Sequence, residues 1–521
     1  MDKMTTIWLV IAVYGVFMLA VGILNSRKAA GMEDFTVGGR NAGAWLSALS
    51  YGTAYFSAVM FIGYSGGSGW SFGLWSVLVG VGNALIGSLL AWLVLAKRTR
   101  EVTRRLKISS MPQLFEKRFG SKKMRMFACV VIFLFLIPYS ASVYKGLTSV
   151  CSVLLGIDEQ VCMIMIALAS AVVLVLGGYM ATLKADFVQG FVMMFGVSAL
   201  LVLVVIGPKV GGLTEGFRRM TEYMRQNEMA PLSSSAAVSL VATILMTSFG
   251  TWGLPQMIHK FYTIRSEKAI ATGTVISTIF AIVISGGSYF LGGFGRLFDG
   301  PAIYNGNGGI AYDTIIPAML SGLPDILIGI VVMLVLSASM STLSSLVLTS
   351  SSTLTLDFIK GNLVKDMKDR TQLILMQVLI VAFIIISVVL ALDPPDFIAQ
   401  LMGISWGALA GAFLAPFLYG LYWKRVTPAA VWASFAAGVG ITVSNMFLHY
   451  IESPINAGAF AMVAGLIIVP LVSLLTTKME PDYVNGIFAC YDDLVEATSR
   501  KVLPDDKSFD SPAFQKKNKK H

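Results

Sequence analysis

Thirteen stretches of the chain stay apolar for about twenty residues or more, the length a helix needs to cross the hydrocarbon core of a bilayer. They lie near residues 5–25, 45–68, 72–96, 126–154, 160–181, 187–208, 235–258, 269–294, 325–355, 372–392, 397–422, 428–448 and 455–476. The pattern predicts an all-α, polytopic membrane protein of about 13 transmembrane helices, with a membrane domain over residues 1–476 and a tail over 477–521. The first run is too long for a cleaved leader, and Arg27 and Lys28 follow it, so it is expected to remain as a span.

Two runs are interrupted. The second reads LSYGTAYFSAVMFIGYSGGSG (Leu49–Gly69) and the seventh ends in TSFGTWGLPQ (Thr247–Gln256); Gly52, Gly63, Gly250, Gly253 and Pro255 break them. Backbone groups freed by such breaks cannot face lipid, so they face protein or a wet cavity. Each broken run is the first of five, and five spans reverse the direction of the chain. Residues 45–208 and 235–422 are therefore expected to form inverted repeats. Broken helices at matching positions of two repeats point to a binding site near the membrane midplane.

The ninth run carries the chemistry. In Ser337–Thr355, SASMSTLSSLVLTSSSTLT, twelve of nineteen residues are Ser or Thr, without a charge or proline. On one helix, Ser337, Ser341 and Ser345 recur every four residues, and Ser344 follows Ser341 by three on the same face. One or two such hydroxyls would merely bond back to the preceding turn or help helices pack. This density suits a hard cation that takes oxygen ligands, such as sodium.

Composition agrees. The chain has 521 residues, of which 56% are hydrophobic and 13% charged, and its mean hydropathy is +0.75; a soluble domain carries about 25% charged residues. The net charge of +10 is sorted by side and not gathered into a nucleic-acid patch. With the N-terminus outside, the cytoplasmic segments hold 32 Lys and Arg and the outer ones seven. This predicts a multi-pass protein of the plasma membrane, N-terminus out and C-terminus in. The segment 97–125 alone carries eleven basic residues. The tail ends in KKNKKH and is expected to be a solvated cytoplasmic end that touches anionic lipid. Cys129, Cys151, Cys162 and Cys490 show no metal or redox spacing, and the three histidines are far apart. No catalytic cluster is visible, so no enzyme and no cofactor beyond a coupling ion is expected. Two charges fall within spans: Lys145, able to reach the outer interface, and Asp186, at the inner start of the sixth span in TLKADFVQG.

Several stretches resemble the sodium/solute symporter family, whose members include proline, pantothenate, sialic acid and sugar symporters. They are DFTVGGRNAG after the first span, FSAVMFIGYSG in the second, GGYMATLKADFVQG at spans five and six, SASMSTLSS in the ninth and YGLYWKRVTPAAVWASF after the eleventh. The resemblance covers nearly the whole chain. It implies the leucine-transporter fold, two inverted repeats of five helices, with one extra span before and two after. By motif match, the family's sodium site would fall on Thr53, Phe56, Ala338, Ser341 and Thr342. A second sodium, as in the sialic acid symporter, would fall on Asp186, Ser341, Ser344 and Ser345. The solute positions implied are Tyr55, Ser57, Tyr139, Thr251 and Trp252. Proline symporters carry an aspartate where this chain has Tyr55. The Gly-Leu-Pro after Trp252 resembles the pantothenate branch, whereas Tyr139 matches the proline branch. The expectation is a sodium-coupled secondary active symporter that imports a small carboxylate or amino acid, pantothenate- or proline-like, by alternating access. The alternatives are a proton-coupled or uncoupled carrier or channel of the same fold, or a sugar symporter.

Overall fold

The computed structural model describes residues 40–501 apart from 229–231, 306–307, 322–323, 365 and 395–397, with only scattered positions before residue 40. The expected first span and residues 502–521, including the KKNKKH end, thus lie outside the described residues. The described chain is nearly all helix, and ten of its helices are long and apolar enough to cross a membrane. The expected count of thirteen is not confirmed: the first expected span lies outside the described residues, and the second and third fall in one helical run. Helical structure resumes after the first break and runs from Val59 to Arg105, merging expected spans two and three; Gly73, at a φ of +59°, turns the chain within it. The polar segment 182–186, expected as a loop, lies inside a continuous helix.

The elements that position the site are α1 (Ala44–Tyr55), α2 (Lys122–Leu155), α3 (Glu159–Ile206), α4 (Ser234–Phe249), α5 (Pro255–Tyr262), α6 (Asp325–Ser352), α7 (Ile398–Tyr422), α8 (Pro428–Leu448), α9 (Pro454–Leu475) and α10 (Pro481–Lys501). Both expected breaks are present. α1 stops at Phe56, whose backbone turns extended, and Ser57 restarts the helix by accepting a hydrogen bond from the Val59 amide (3.2 Å). α4 gives way to a tight turn over Gly250–Trp252. Leu254 is then extended, as a residue before proline must be, and Pro255 opens α5, where its missing N–H costs nothing. Elsewhere turns are set by local chemistry. Gly156 ends α2 at a φ of +66°, and Asp158 caps α3 by accepting from the amides of Gln160 and Val161. Lys145 pairs with Glu159 across this turn (2.8 Å).

The centre of the molecule is α7, of which 94% of the most apolar window is buried, against 28% for the peripheral helix Asp369–Leu392. Small residues allow the close approach. A Cβ on Gly407 would stand 2.8 Å from the Gly458 Cα on α9, and one on Gly438 of α8 would stand 2.2 Å from the Ala412 amide nitrogen. Leu168, Phe195, Ile385 and Val389 face outward, mostly exposed, as residues at a lipid surface do.

The basic segment does more than mark a side. Arg98 donates to the Leu421 carbonyl (2.8 Å) and Arg118 to the Gly420 carbonyl (2.9 Å), closing the C-terminal end of α7. Arg100 donates to the carbonyls of Ile264 and Arg265. α10 packs on the same surface: Tyr483 donates to the Lys117 carbonyl (2.6 Å), Arg98 lies over the Tyr491 ring and Arg118 over Phe488. The start of the tail, expected to be solvated, thus packs one face of α10 on this surface.

Replacing Gly438 by Ala should lower stability by about 1–3 kcal/mol through overpacking against α7. Gly440→Ala, where a Cβ would meet nothing within 4 Å, should leave it unchanged. Thermal unfolding of both variants in detergent checks this.

Candidate cation and solute site

Helix α6 places its hydroxyls against the end of α1. Ser341 donates to the Thr53 carbonyl (2.9 Å) and to the Ala338 carbonyl (3.1 Å). Thr342 donates to the same two carbonyls (3.1 Å each) and approaches that of Ala54 (3.4 Å). Thr53, Ser341 and Thr342 are fully buried. Four of the five residues expected at the first sodium site thus bring two carbonyl and two hydroxyl oxygens to one point. Phe56, the fifth, is buried at the break itself, where its amide donates to the Gly52 carbonyl (2.9 Å). Hard oxygen ligands without a net charge suit a monovalent cation. A hydroxyl that donates to a carbonyl can also turn a lone pair toward a cation between them.

The lower set is arranged differently. Asp186 accepts a hydrogen bond from Ser50 (2.5 Å) and faces the ammonium of Lys260 (3.4 Å), which also donates to Ser50 (2.7 Å). Ser344 turns back to the Met340 carbonyl (2.7 Å). Ser345 lines a cavity of about 10 Å³ with Tyr179, Gln256, His259 and Lys260. Ser50 and Lys260 were not among the residues the sequence singles out. Lys260 reads as a loop residue after the seventh span, yet it is 2% exposed. The available signal was Pro255: a proline that restarts a helix carries the next two turns back into the protein.

Of the expected solute residues, Tyr55, Ser57 and Tyr139 come together. The Tyr55 ring stacks on Phe56, with centroids 4.1 Å apart. Trp406 of α7 lies 6.4 Å from Tyr55 and 5.8 Å, edge-on, from Tyr139. Trp406 was missed because a lone tryptophan in an apolar run shows no polar signal. Thr251 and Trp252 instead face the segment at 86–87: Trp252 donates to the Ile86 carbonyl (3.1 Å), and Thr251 donates to the Ser248 carbonyl (2.9 Å) while approaching that of Gly87 (3.4 Å). Tyr51 donates to the Gly87 carbonyl (2.7 Å), and Tyr55 donates to that of Thr247 (2.6 Å).

A cavity of about 430 Å³ opens at the end of the molecule remote from the basic segment, between Tyr64, Phe72, Thr243, Gln400, Glu452 and Asn456. Among the described residues that line it, Glu452 is the one that carries a charge. At the opposite end the chain is tied shut. Arg125 pairs with Glu116 (2.9 Å) and with the buried Asp357 (3.1 Å), which also accepts from Gln113 (2.5 Å). The two ends thus differ: a cavity on one side, ion pairs on the other.

Broken helices facing a hydroxyl-bearing helix, beneath a cavity open at one end, define a membrane carrier of the leucine-transporter type. The family model "Sodium:solute symporter family" matches residues 35–438, and the chain belongs to that family, whose members are transporters. It is 25% identical over 482 residues to an osmoregulated proline transporter of Bacillus subtilis, covering 90% of this chain and 94% of the relative. It is 26% identical to a high-affinity proline transporter of the same organism (82% and 89% covered). A sodium/proline symporter of Haemophilus influenzae is 25% identical (90% and 94% covered). Among solved structures, a substrate-bound, outward-open sodium-coupled sialic acid symporter shares the fold, with a TM-score of 0.73, 19% identity and coverage of 91% of this chain and 99% of that one.

A Cβ at Gly87 would sit 2.2 Å from the Tyr55 hydroxyl. Gly87→Ala should therefore displace Tyr55 and raise the solute concentration for half-maximal uptake on the order of tenfold, about 1.4 kcal/mol. Uptake kinetics of the variant, compared at equal expression, test this.

Proposed function

We propose that this chain is a sodium-coupled symporter that imports a small amino acid or carboxylate across the plasma membrane by alternating access. The observation that carries the reading is the convergence of the Thr53 and Ala338 carbonyls with the Ser341 and Thr342 hydroxyls. Sodium there joins the broken α1 to α6 and stiffens the break. This preorganises the aromatic pocket of Tyr55, Tyr139 and Trp406 next to it. Solute and sodium bind together from the outer cavity, the inner ion pairs open, and both leave to the cytoplasm. The sorting of 32 basic residues to one side and seven to the other supports an N-terminus outside and a C-terminus inside. The carrier works without a catalytic step, a cofactor or nucleic acid, and its basic tail meets anionic lipid.

An amino acid is the favoured solute class. Three relatives carry proline in their names. The described residues lining the outer cavity offer Glu452 and no basic side chain, which suits a zwitterion better than an anion. Aromatic faces bind the apolar body of such a solute, and the backbone ends at the breaks receive its charged groups.

Purified protein reconstituted in liposomes should take up labelled proline, or another amino acid from a panel, against its gradient when sodium is outside, and not when potassium replaces it. Ser341→Ala and Thr342→Ala should each raise the half-saturating sodium concentration at least about tenfold, the scale of losing one oxygen ligand. By linkage, the affinity gained by solute from sodium must equal that gained by sodium from solute. Uptake that ignores the cation, or driven by a proton gradient alone, overturns the reading in favour of a proton-coupled or uncoupled carrier.

A further inference from the structure

Asp186 and Lys260 form an ion pair inside the membrane domain, at 0% and 2% exposure. The ammonium is 3.4 Å from Oδ2 of the carboxylate and 2.7 Å from the Ser50 hydroxyl, which itself donates to Oδ2 (2.5 Å). The Tyr179 ring lies 5.4 Å from the ammonium on another side. The three polar residues come from three elements: Ser50 from α1, Asp186 from α3 and Lys260 from α5. A buried carboxylate requires a positive partner. A mobile cation could serve, but here a side chain does, and its covalent link means that it cannot be released.

We propose that Lys260 is a built-in cation for Asp186 and fixes the coupling at one sodium per cycle, the one held between α1 and α6. This rests on the sodium-coupled reading and departs from the two-ion expectation drawn from Asp186, Ser341, Ser344 and Ser345. The serines fit the single-ion arrangement. Ser341 serves the Thr53 carbonyl, and Ser344 is turned back on its own helix. Oδ1 of Asp186 makes no hydrogen bond among the described residues, and it is the atom a second sodium would have to use. The pair also joins the inner half of α1 to α5. Ser50 lies one turn before Thr53, whose hydroxyl approaches the Ser50 carbonyl (3.4 Å). Lys260 thus also positions the strand of backbone that supplies the sodium ligand.

The test counts radioactive sodium bound per molecule of purified protein, which requires no knowledge of the solute. Wild type should bind one ion. Lys260→Met, which keeps the bulk and removes the charge, should double the count to two, with the new ion competing at Asp186. The double variant Asp186→Asn/Lys260→Met should return to one, as should Asp186→Asn alone. A wild-type count of two places an ion on Oδ1 and overturns the proposal. So does a Lys260→Met variant that unfolds at the wild-type temperature yet binds one ion. If Lys260→Met does not fold, the wild-type count and that of Asp186→Asn still decide: one in both supports the proposal, and two falling to one overturns it. A wild type that binds no sodium overturns the sodium-coupled reading itself, a result distinct from a count of two.

Discussion

The rest of the structure depends on what happens to one carbonyl. Where α1 stops, its last carbonyl groups lose their helical partners, and no bulk water is at hand in the membrane core to replace them. The Thr53 carbonyl is satisfied twice, by Ser341 and by Thr342 of α6. Two helices from different repeats are thereby tied by hydrogen bonds that a cation could share. The hydroxyls donate to Thr53 here, and their oxygens could also coordinate a sodium placed among the same carbonyls. A site of this kind changes the stiffness of a break without moving any charged residue into the core.

The two ends of the molecule complete this logic. Toward Glu452 the helices part around a cavity of about 430 Å³. Toward the basic segment, the Arg125–Asp357 pair ties α2, and the Gln113 hydrogen bond ties the helix Met111–Phe119, to the extension of α6. This inner lock sits on the same helix as the hydroxyls. A displacement of α6 relative to α1 would therefore strain both together. The docked start of α10 adds a second brace, since Phe488 and Tyr491 hold the arginines that cap α7 and Tyr483 bonds the Lys117 carbonyl beside them. α7 packs on α8 and α9 through close glycine contacts, with Ser434 donating to the Ala412 carbonyl and Tyr419 to that of Leu466.

Much of this was legible in the sequence, because the bilayer makes its demands locally. The hydroxyl run at Ser337–Thr355 and the breaks near Phe56 and Gly253 follow from what apolar surroundings forbid, whereas the expected sodium ligands come from the family resemblance alone. The helix boundaries were less so, since helical hydrogen bonding runs through polar patches such as 182–186. Lys260 and Trp406 were not, because each looks ordinary along the chain. A lysine after an apolar run reads as an interface residue, and only the restart at Pro255 returns it to the interior beside Asp186. Thr251 and Trp252 illustrate the converse: they sit at the right break but face Ile86 and Gly87. A motif locates a break in the chain, but the packing around it decides which way its side chains point.

The number of ions is the variable that this architecture leaves most consequential. Each positive charge carried inward across 100 mV contributes about 2.3 kcal/mol, and a tenfold sodium gradient adds about 1.4 kcal/mol. One sodium with a zwitterionic solute therefore supports about 3.7 kcal/mol of work, on the order of 500-fold accumulation. A second ion would square that ratio, at the cost of carrying two ions for each solute. A tethered ammonium beside Asp186 stabilises the buried carboxylate without a mobile ion and ties α5 to the Ser50 turn of α1. A carrier so built gives up the steeper gradient and gains release at the inner side that waits on a single ion.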